Sequence, residues 1–253
     1  MPNLPRVSKK AYKLKASGPQ IVLFHGYTGS PYDLKPLALF LHEHNYEVIV
    51  PLLKGHSTNV KALTTIKFSQ WIKQAKDILK SLDPKRPIYL GGLSMGALLA
   101  IILAHNNSTI KKLILISPAL ELFFLGKLLI KSYKFNFFGK YFSWPKLNGQ
   151  SDIADEQAKK ICPSYEELPL FGLNEFNELR KMTLPLIKDL SCDIFAAFGT
   201  QDGTIDVHMS KKHLLNATNA KKIIIKDYSK SKHILPLDLQ RVSLCNDVVN
   251  FLR

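Results

Sequence analysis

Residues 90–100 read LGGLSMGALLA, and the fold turns on how this stretch is understood. Leu90 closes an apolar run that begins near Pro87. Met95 to Ala100 is small and apolar, as a tightly packed helix would be. Between the two lies Gly92-Leu93-Ser94-Met95-Gly96, a G-x-S-x-G pattern. Glycines two residues either side of a serine permit a tight turn from strand into helix, which lifts the hydroxyl out of the sheet. Ser94 is therefore either a nucleophile or a small residue at an ordinary turn, and the surrounding chain has to decide.

Working outward, strand-length apolar runs recur at Gln20–Phe24, Tyr46–Val50, Pro87–Leu90, Lys112–Ile116, Asp193–Phe198 and Lys222–Ile225. They are near-continuous and rich in β-branched residues, as parallel strands buried on both faces should be. Helix-length segments with apolar spacing of three and four lie between them: Pro31–His44, Phe68–Leu82, Met95–His105, Val207–Leu215 and Leu237–Leu252. The alternation predicts an α/β fold with a mostly parallel central sheet covered by helices. Sites in such sheets form at the carboxyl ends of strands.

A serine hydroxyl is a weak nucleophile. It needs a neutral histidine to take its proton and an acid to orient that histidine. His233, in "SKSKHILPLDLQR", follows the last strand, and is the one histidine among eight at a strand-end loop downstream of both Ser94 and the acid candidates. Asp202, in "FGTQDGTID", lies at the carboxyl end of the Asp193–Phe198 run and is the preferred acid. Asp206, four residues on, is the competitor, placed where an aspartate often stabilises a helix N-terminus. Glu121 is a remote third option. The tetrahedral oxyanion needs backbone N–H donors. Met95 supplies one directly after the serine, and Tyr27, in the loop His25-Gly26-Tyr27-Thr28-Gly29, is the candidate for the second. His25 is expected to organise that loop and to lie near substrate, not to act as a base.

Leu120 to roughly Lys188 breaks the alternation. Residues 120–188 are expected to form a cap inserted into a core made of 1–119 and 189–253. From Leu122 to Ser151 there is no Asp or Glu, but there are lysines at 127, 131, 134, 140 and 146 and many aromatics: Phe123, Phe124, Tyr133, Phe135, Phe137, Phe138, Tyr141, Phe142 and Trp144. This suits an acyl-binding lining, with Phe123 and Phe124 as candidate substrate contacts, and a basic rim for peripheral contact with an anionic membrane. It equally suits a helix that packs its apolar face on the core.

The 253 residues suffice for one large domain. A hydrophobic content of 46% with 22% charged residues is that of a soluble globular chain. The formal charge of +15 asks for an anionic partner or a lysine-rich solvated surface. The lysines are dispersed, never more than two in a row, and nucleic-acid motifs are absent, so no nucleic-acid partner is expected. The first twenty residues hold no signal-like apolar core, and no run approaches a membrane span. A cytoplasmic protein, monomer or weak dimer, is expected. Cys162, Cys192 and Cys245 read as reduced buried thiols, and neither a metal nor a cofactor is expected.

"VLFHGYTGSPYDLKPLA", "VPLLKGHSTN", "GGLSMGALLA", "GTQDGTID" and "KHILPLD" together resemble the α/β-hydrolases, and more narrowly the bacterial carboxylesterase and monoacylglycerol lipase group. The resemblance implies an α/β-hydrolase fold with a small cap. It implies Ser94 as nucleophile, Asp202 as acid, His233 as base, and Tyr27 and Met95 as oxyanion donors, acting on short-to-medium acyl esters through an acyl-enzyme without a cofactor. "SYEELPL", residues 164–170, resembles the later part of such a cap. The chain departs from the group at Ser57, where Gly is usual after Gly-His, at Lys232 before the histidine, and at Ala97 after the serine motif. A thioesterase with the same triad is the alternative, and a non-catalytic ligand-binding protein on the same fold a lesser one. An amidase or peptidase has no feature of its own in the sequence.

Overall fold

β2 (Gln20–Phe24) is buried along its whole length, and its side chains alternate between two separate apolar layers. Val22 and Phe24 face one layer, Ile21 and Leu23 the other. This double burial is why the strand reads as an unbroken apolar run. The computed structural model describes residues 4–135, 143–145, 151–165 and 167–253.

Seven strands form the main sheet: β1 (Tyr12–Leu14), β2, β3 (Glu47–Val50), β4 (Ile88–Leu93), β5 (Ile110–Ile116), β8 (Asp193–Gly199) and β9 (Ile223–Tyr228). Their order is β1-β3-β2-β4-β5-β8-β9. All neighbours are parallel except β1 with β3. β1 was not legible as a strand. It is three residues long, centred on Lys13, and pairs at the sheet edge where one face meets water.

Two helices cover the Ile21 face: α1 (Lys35–Glu43), entered through a 3-10 turn at Pro31–Leu34, and α8 (Arg241–Leu252). The Val22 face carries α2 (Phe68–Lys80), α3 (Met95–Ala104) and α7 (Val207–Leu214). α3 is buried on every side, so its sequence is uniformly apolar instead of amphipathic.

Between β5 and β8 the chain builds α4 (Phe124–Phe135), β6 (Ser143–Pro145), α5 (Glu156–Ile161), β7 (Glu167–Pro169) and α6 (Leu170–Thr183). No strand was expected there, yet β6 and β7 pair antiparallel. Each is only three residues long and includes a proline, which hides the period-two signal. α6 packs against α2, α3 and α4. Leu173, Phe176 and Leu179 of α6 and Leu129 of α4 join the same apolar layer as α3, so the insertion packs on the core. Phe137, Phe138, Tyr141 and Phe142, expected in this segment, lie outside the described residues. Among the described residues no helix is long and apolar enough to cross a membrane.

Candidate active site

Ser94 sits between the end of β4 and the start of α3 with φ at 56° and ψ at −115°. A non-glycine residue there is strained, and such strain persists only where its surroundings enforce it. The glycines provide that enforcement. A Cβ on Gly92 would land on the Gly96 backbone, and one on Gly96 would land on the Phe24 carbonyl at the end of β2. The turn is thus wedged against the neighbouring strand. Ser94 N–H donates to the Ile116 carbonyl at 2.9 Å, tying it to β5 as well.

His233 follows β9 and is buried, and its Nδ1 is 2.7 Å from Oδ2 of Asp202. A carboxylate only accepts, so Nδ1 carries the proton and Nε2 is left as a base. The Asp202 side chain is fully buried, and its Oδ1 accepts the N–H groups of Thr204 and Ile205 at 2.8 and 3.1 Å. Asp206 has a different partner. Its carboxylate accepts from Met209 N–H and caps α7. Glu121 is engaged elsewhere, with Lys127, Arg180 and His213.

Met95 heads α3, so its N–H has no acceptor within the helix. Among the described residues neither the Met95 nor the Tyr27 amide donates to another backbone group outside helices and strands. Thr28, with φ at 61°, turns the loop after β2. Gly26 brings this loop close enough that an added Cβ would lie 3.3 Å from Cβ of Ser94. The Tyr27 ring reaches into the insertion. Its hydroxyl donates to the Pro169 carbonyl at 2.8 Å, and the ring stacks on Phe176 at 5.7 Å. Burial raises its phenol well above the ordinary range, with Tyr165 adding to the effect, so it stays a neutral donor.

His25 departs from the expectation that it lies near substrate. It is fully buried, with Nδ1 at 2.9 Å from the Gly26 carbonyl and Nε2 accepting from Leu53 N–H at 3.1 Å. With both nitrogens committed to backbone, it is a scaffold for the loop. It packs edge-on against His56 at 4.8 Å. Burial holds the His25 imidazole well below its usual range, with His56 contributing, and burial pulls His56 down to about 4.

Ser94 and His233 line one cavity of about 400 Å³, with Gly26 and Tyr27 beside them. One wall is apolar: Leu122, Phe123, Leu129, Leu168, Leu173 and Phe176. The rest of the lining includes the polar residues Thr28, Asp33, Ser151, Ser164, Lys159 and Lys232. Phe123 is thus part of the cavity lining. Phe124 is not, because it lies at the start of α4 with its side chain turned to solvent, 73% exposed. Cys192 and Cys245 are buried thiols pushed up to about 11 and about 12 by desolvation. Cys162 is only partly buried, with Ser151 Oγ 3.3 Å from its Sγ.

Sequence reasoning missed several residues around the histidine. Ser117, with φ at 41°, donates through Oγ to the His233 carbonyl at 2.8 Å. Asp238 and Asp152 hold the flanking peptides. Of these only Asp238 carried a signal, as the acid five residues after the histidine.

A strained serine between strand and helix, with a buried His–Asp pair on the same cavity at the strands' carboxyl ends, defines an α/β-hydrolase of the esterase and lipase type. The family described as "Serine aminopeptidase, S33" matches residues 16–240, and the chain belongs to that family. It is 31% identical over 103 residues to a thermostable monoacylglycerol lipase of Bacillus sp. (strain H-257), an alignment covering 40% of this chain and 41% of the relative. It is 24% identical to a carboxylesterase of Bacillus subtilis (strain 168) over 97% of both chains. Among solved structures, one from the metagenome-derived lipolytic enzymes LipS and LipT superposes with a TM-score of 0.84 at 20% identity, covering 97% of each chain.

The buried histidines give a test of stability. An imidazole with a depressed folded pKa binds its proton more readily in the unfolded chain. Stability should therefore be complete above about 6.5 and fall as pH drops toward about 4. His56, whose Nε2 has no hydrogen-bond partner among the described residues, is the clearest contributor. Thermal unfolding midpoints between pH 7 and 4.5 should decline less steeply in His56→Gln than in wild type. Parallel declines would remove His56 from the account.

Proposed function

We propose that the protein is a serine carboxylic-ester hydrolase working through an acyl-enzyme. The observation that carries the reading is the 2.7 Å contact between His233 Nδ1 and the buried Asp202, set on the cavity that the strained Ser94 lines. In this reading Ser94 Oγ attacks the ester carbonyl as its proton passes to His233 Nε2. Asp202 keeps the imidazole in the tautomer that accepts this proton and stabilises the imidazolium that results. The Tyr27 and Met95 amides bind the oxyanion. Collapse breaks the bond to the alcohol, which leaves with the proton from His233. Water then loses a proton to His233 as it attacks the acyl-enzyme, and the second collapse releases the acid and restores Ser94.

The cavity's mixed apolar and polar lining supports a substrate with an apolar acyl chain and a polar alcohol. Its volume of about 400 Å³ suits short-to-medium acyl groups. The monoacylglycerol lipase and carboxylesterase relatives support the same class of ester. A thioester is the second reading. Lys159 and Lys232 in the lining favour it, because an anionic thiol carrier would be drawn to them. Residues 120–188 act as the cap in both readings, and the outer face of α4 extends the first. Phe124 and Leu128 stand exposed one turn apart, with Lys127 and Lys131 flanking them, and this suits an anionic bilayer that presents lipid esters.

With a series of p-nitrophenyl esters from acetate to palmitate, turnover should peak at short-to-medium chains. It should fall about a thousandfold or more in Ser94→Ala, as losses of a triad member do. Retention of a tenth of the wild-type rate would remove Ser94 as nucleophile. Turnover of butyryl-coenzyme A in preference to the matching p-nitrophenyl ester would favour the thioesterase.

Asp202→Asn should also cost about a thousandfold or more, because the amide favours the wrong imidazole tautomer. Asp206→Asn should stay near wild type in kcat/KM. The reverse pattern would transfer the acid role to Asp206.

Co-sedimentation with phosphatidylglycerol vesicles should be strong at low salt, weaken as salt screens the charge, and diminish in Phe124→Ser/Leu128→Ser. Absence of binding at low salt would exclude the docking role.

A further inference from the structure

The backbone around His233 is held at three consecutive residues, by groups from positions 238, 117 and 152. Lys232 N–H donates to Oδ2 of Asp238 at 2.7 Å. The His233 carbonyl accepts from Ser117 Oγ. Ile234 N–H donates to the Asp152 carbonyl at 3.2 Å. Of these holders Asp238 has the most demanding chemistry. Its side chain is inaccessible to water, yet no cation bonds its carboxylate among the described residues. Backbone amides take that place. Oδ1 accepts from Ala154, Asp155 and Leu239 at 3.0, 2.9 and 2.8 Å, while Oδ2 takes Lys232.

An ionised carboxylate without water is costly, and four charge-assisted bonds to rigid peptide groups are what offset that cost. The same four bonds leave the peptides little freedom to move. Ala154 and Asp155 belong to the insertion, so the carboxylate joins the histidine loop to the segment that roofs the cavity. Arg241 closes the joint from the far side, donating to the Asp238 carbonyl at 3.1 Å and to the Asp155 carboxylate at 2.8 Å. Asp152, two residues before Ala154, extends the joint to the acid loop. Its Oδ2 accepts from Gly203 N–H at 2.9 Å and from Thr204 Oγ1 at 3.1 Å, next to Asp202.

We propose that Asp238 is a positioning residue for the reaction: its buried carboxylate clamps the peptide before His233 to residues 154–155 and so fixes where the imidazole stands. Asp238 touches neither the substrate cavity nor the imidazole. It acts through the backbone of its neighbour. Asparagine cannot replace it without loss. In one amide orientation Lys232 N–H faces an NH2 donor, and in the other the amides of Ala154, Asp155 and Leu239 do.

The proposal rests on the serine-hydrolase reading, so the experiment separates the two. Wild type, Asp238→Asn and Arg86→Gln are compared with p-nitrophenyl butyrate, and by the rate at which a fluorophosphonate labels Ser94. Arg86 bonds the Gly18 carbonyl and Glu47 at the amino ends of the strands, away from the site, and serves as a control for destabilisation. At a temperature where all three are folded, Asp238→Asn is expected to lose about 10- to 100-fold in both kcat and labelling rate, as small misplacements of catalytic groups do. Its KM should stay within about threefold of wild type, and the acid limb of its pH profile should shift, while the Arg86 variant keeps wild-type kinetics. Wild-type kcat in Asp238→Asn, or a rise in KM alone, would overturn the proposal. If the Asn variant does not fold, Arg241→Gln decides: the same kcat-only loss supports the clamp, and unchanged kcat overturns it. A wild type that neither turns over esters nor is labelled defeats the serine-hydrolase reading and the proposal with it.

Discussion

The turn at Ser94 is the constraint on which the rest depends. A positive φ at a serine is stable only because nothing else fits around it. Gly92 and Gly96 face each other too closely for a Cβ, and Gly96 presses on the carbonyl of Phe24. That pressure sets the distance between α3 and β2, and the end of β2 is where the Tyr27 loop begins. The serine and the loop amides are thereby positioned by one packing arrangement. α3 in turn is sealed by α2 and α6, so the insertion, the central helix and the serine turn form one apolar layer.

On the other side of the cavity the governing forces are polar. The His233 loop is placed by hydrogen bonds with Ser117, Asp152 and Asp238, and its imidazole by Asp202. Each buried carboxylate there is matched by backbone N–H groups. Asp202 is held by Thr204 and Ile205, and Asp238 by four amides from three segments. Apolar packing fixes the serine side and amide-to-carboxylate bonding fixes the histidine side. The cavity lies at their junction.

Much of this was legible in the chain. Six of the seven main-sheet strands announced themselves, because strands buried on both faces have no choice but to be apolar. Ser94, Asp202 and His233 could be named because each stands at the end of such a run. β1, β6 and β7 were not legible, since three-residue edge pairings containing lysine or proline leave no periodicity. Phe124 was misplaced because composition tells that a segment is aromatic but not which side of α4 faces inward. His25 is the loop organiser that its place in the loop suggests, and the same two backbone hydrogen bonds keep it from facing the cavity. The partners of the His233 backbone come from positions 117, 152 and 238, which no local pattern connects.

The most direct test of the central claim is to trap the acyl-enzyme. The protein is mixed rapidly with p-nitrophenyl acetate, quenched in acid, digested and analysed by mass spectrometry, with the release of p-nitrophenol followed in parallel. The account predicts a burst of p-nitrophenol about equal to the enzyme present, and one acetyl group on the peptide carrying Ser94. An acetyl group on another residue, or turnover with no acylated peptide at any time, would contradict it.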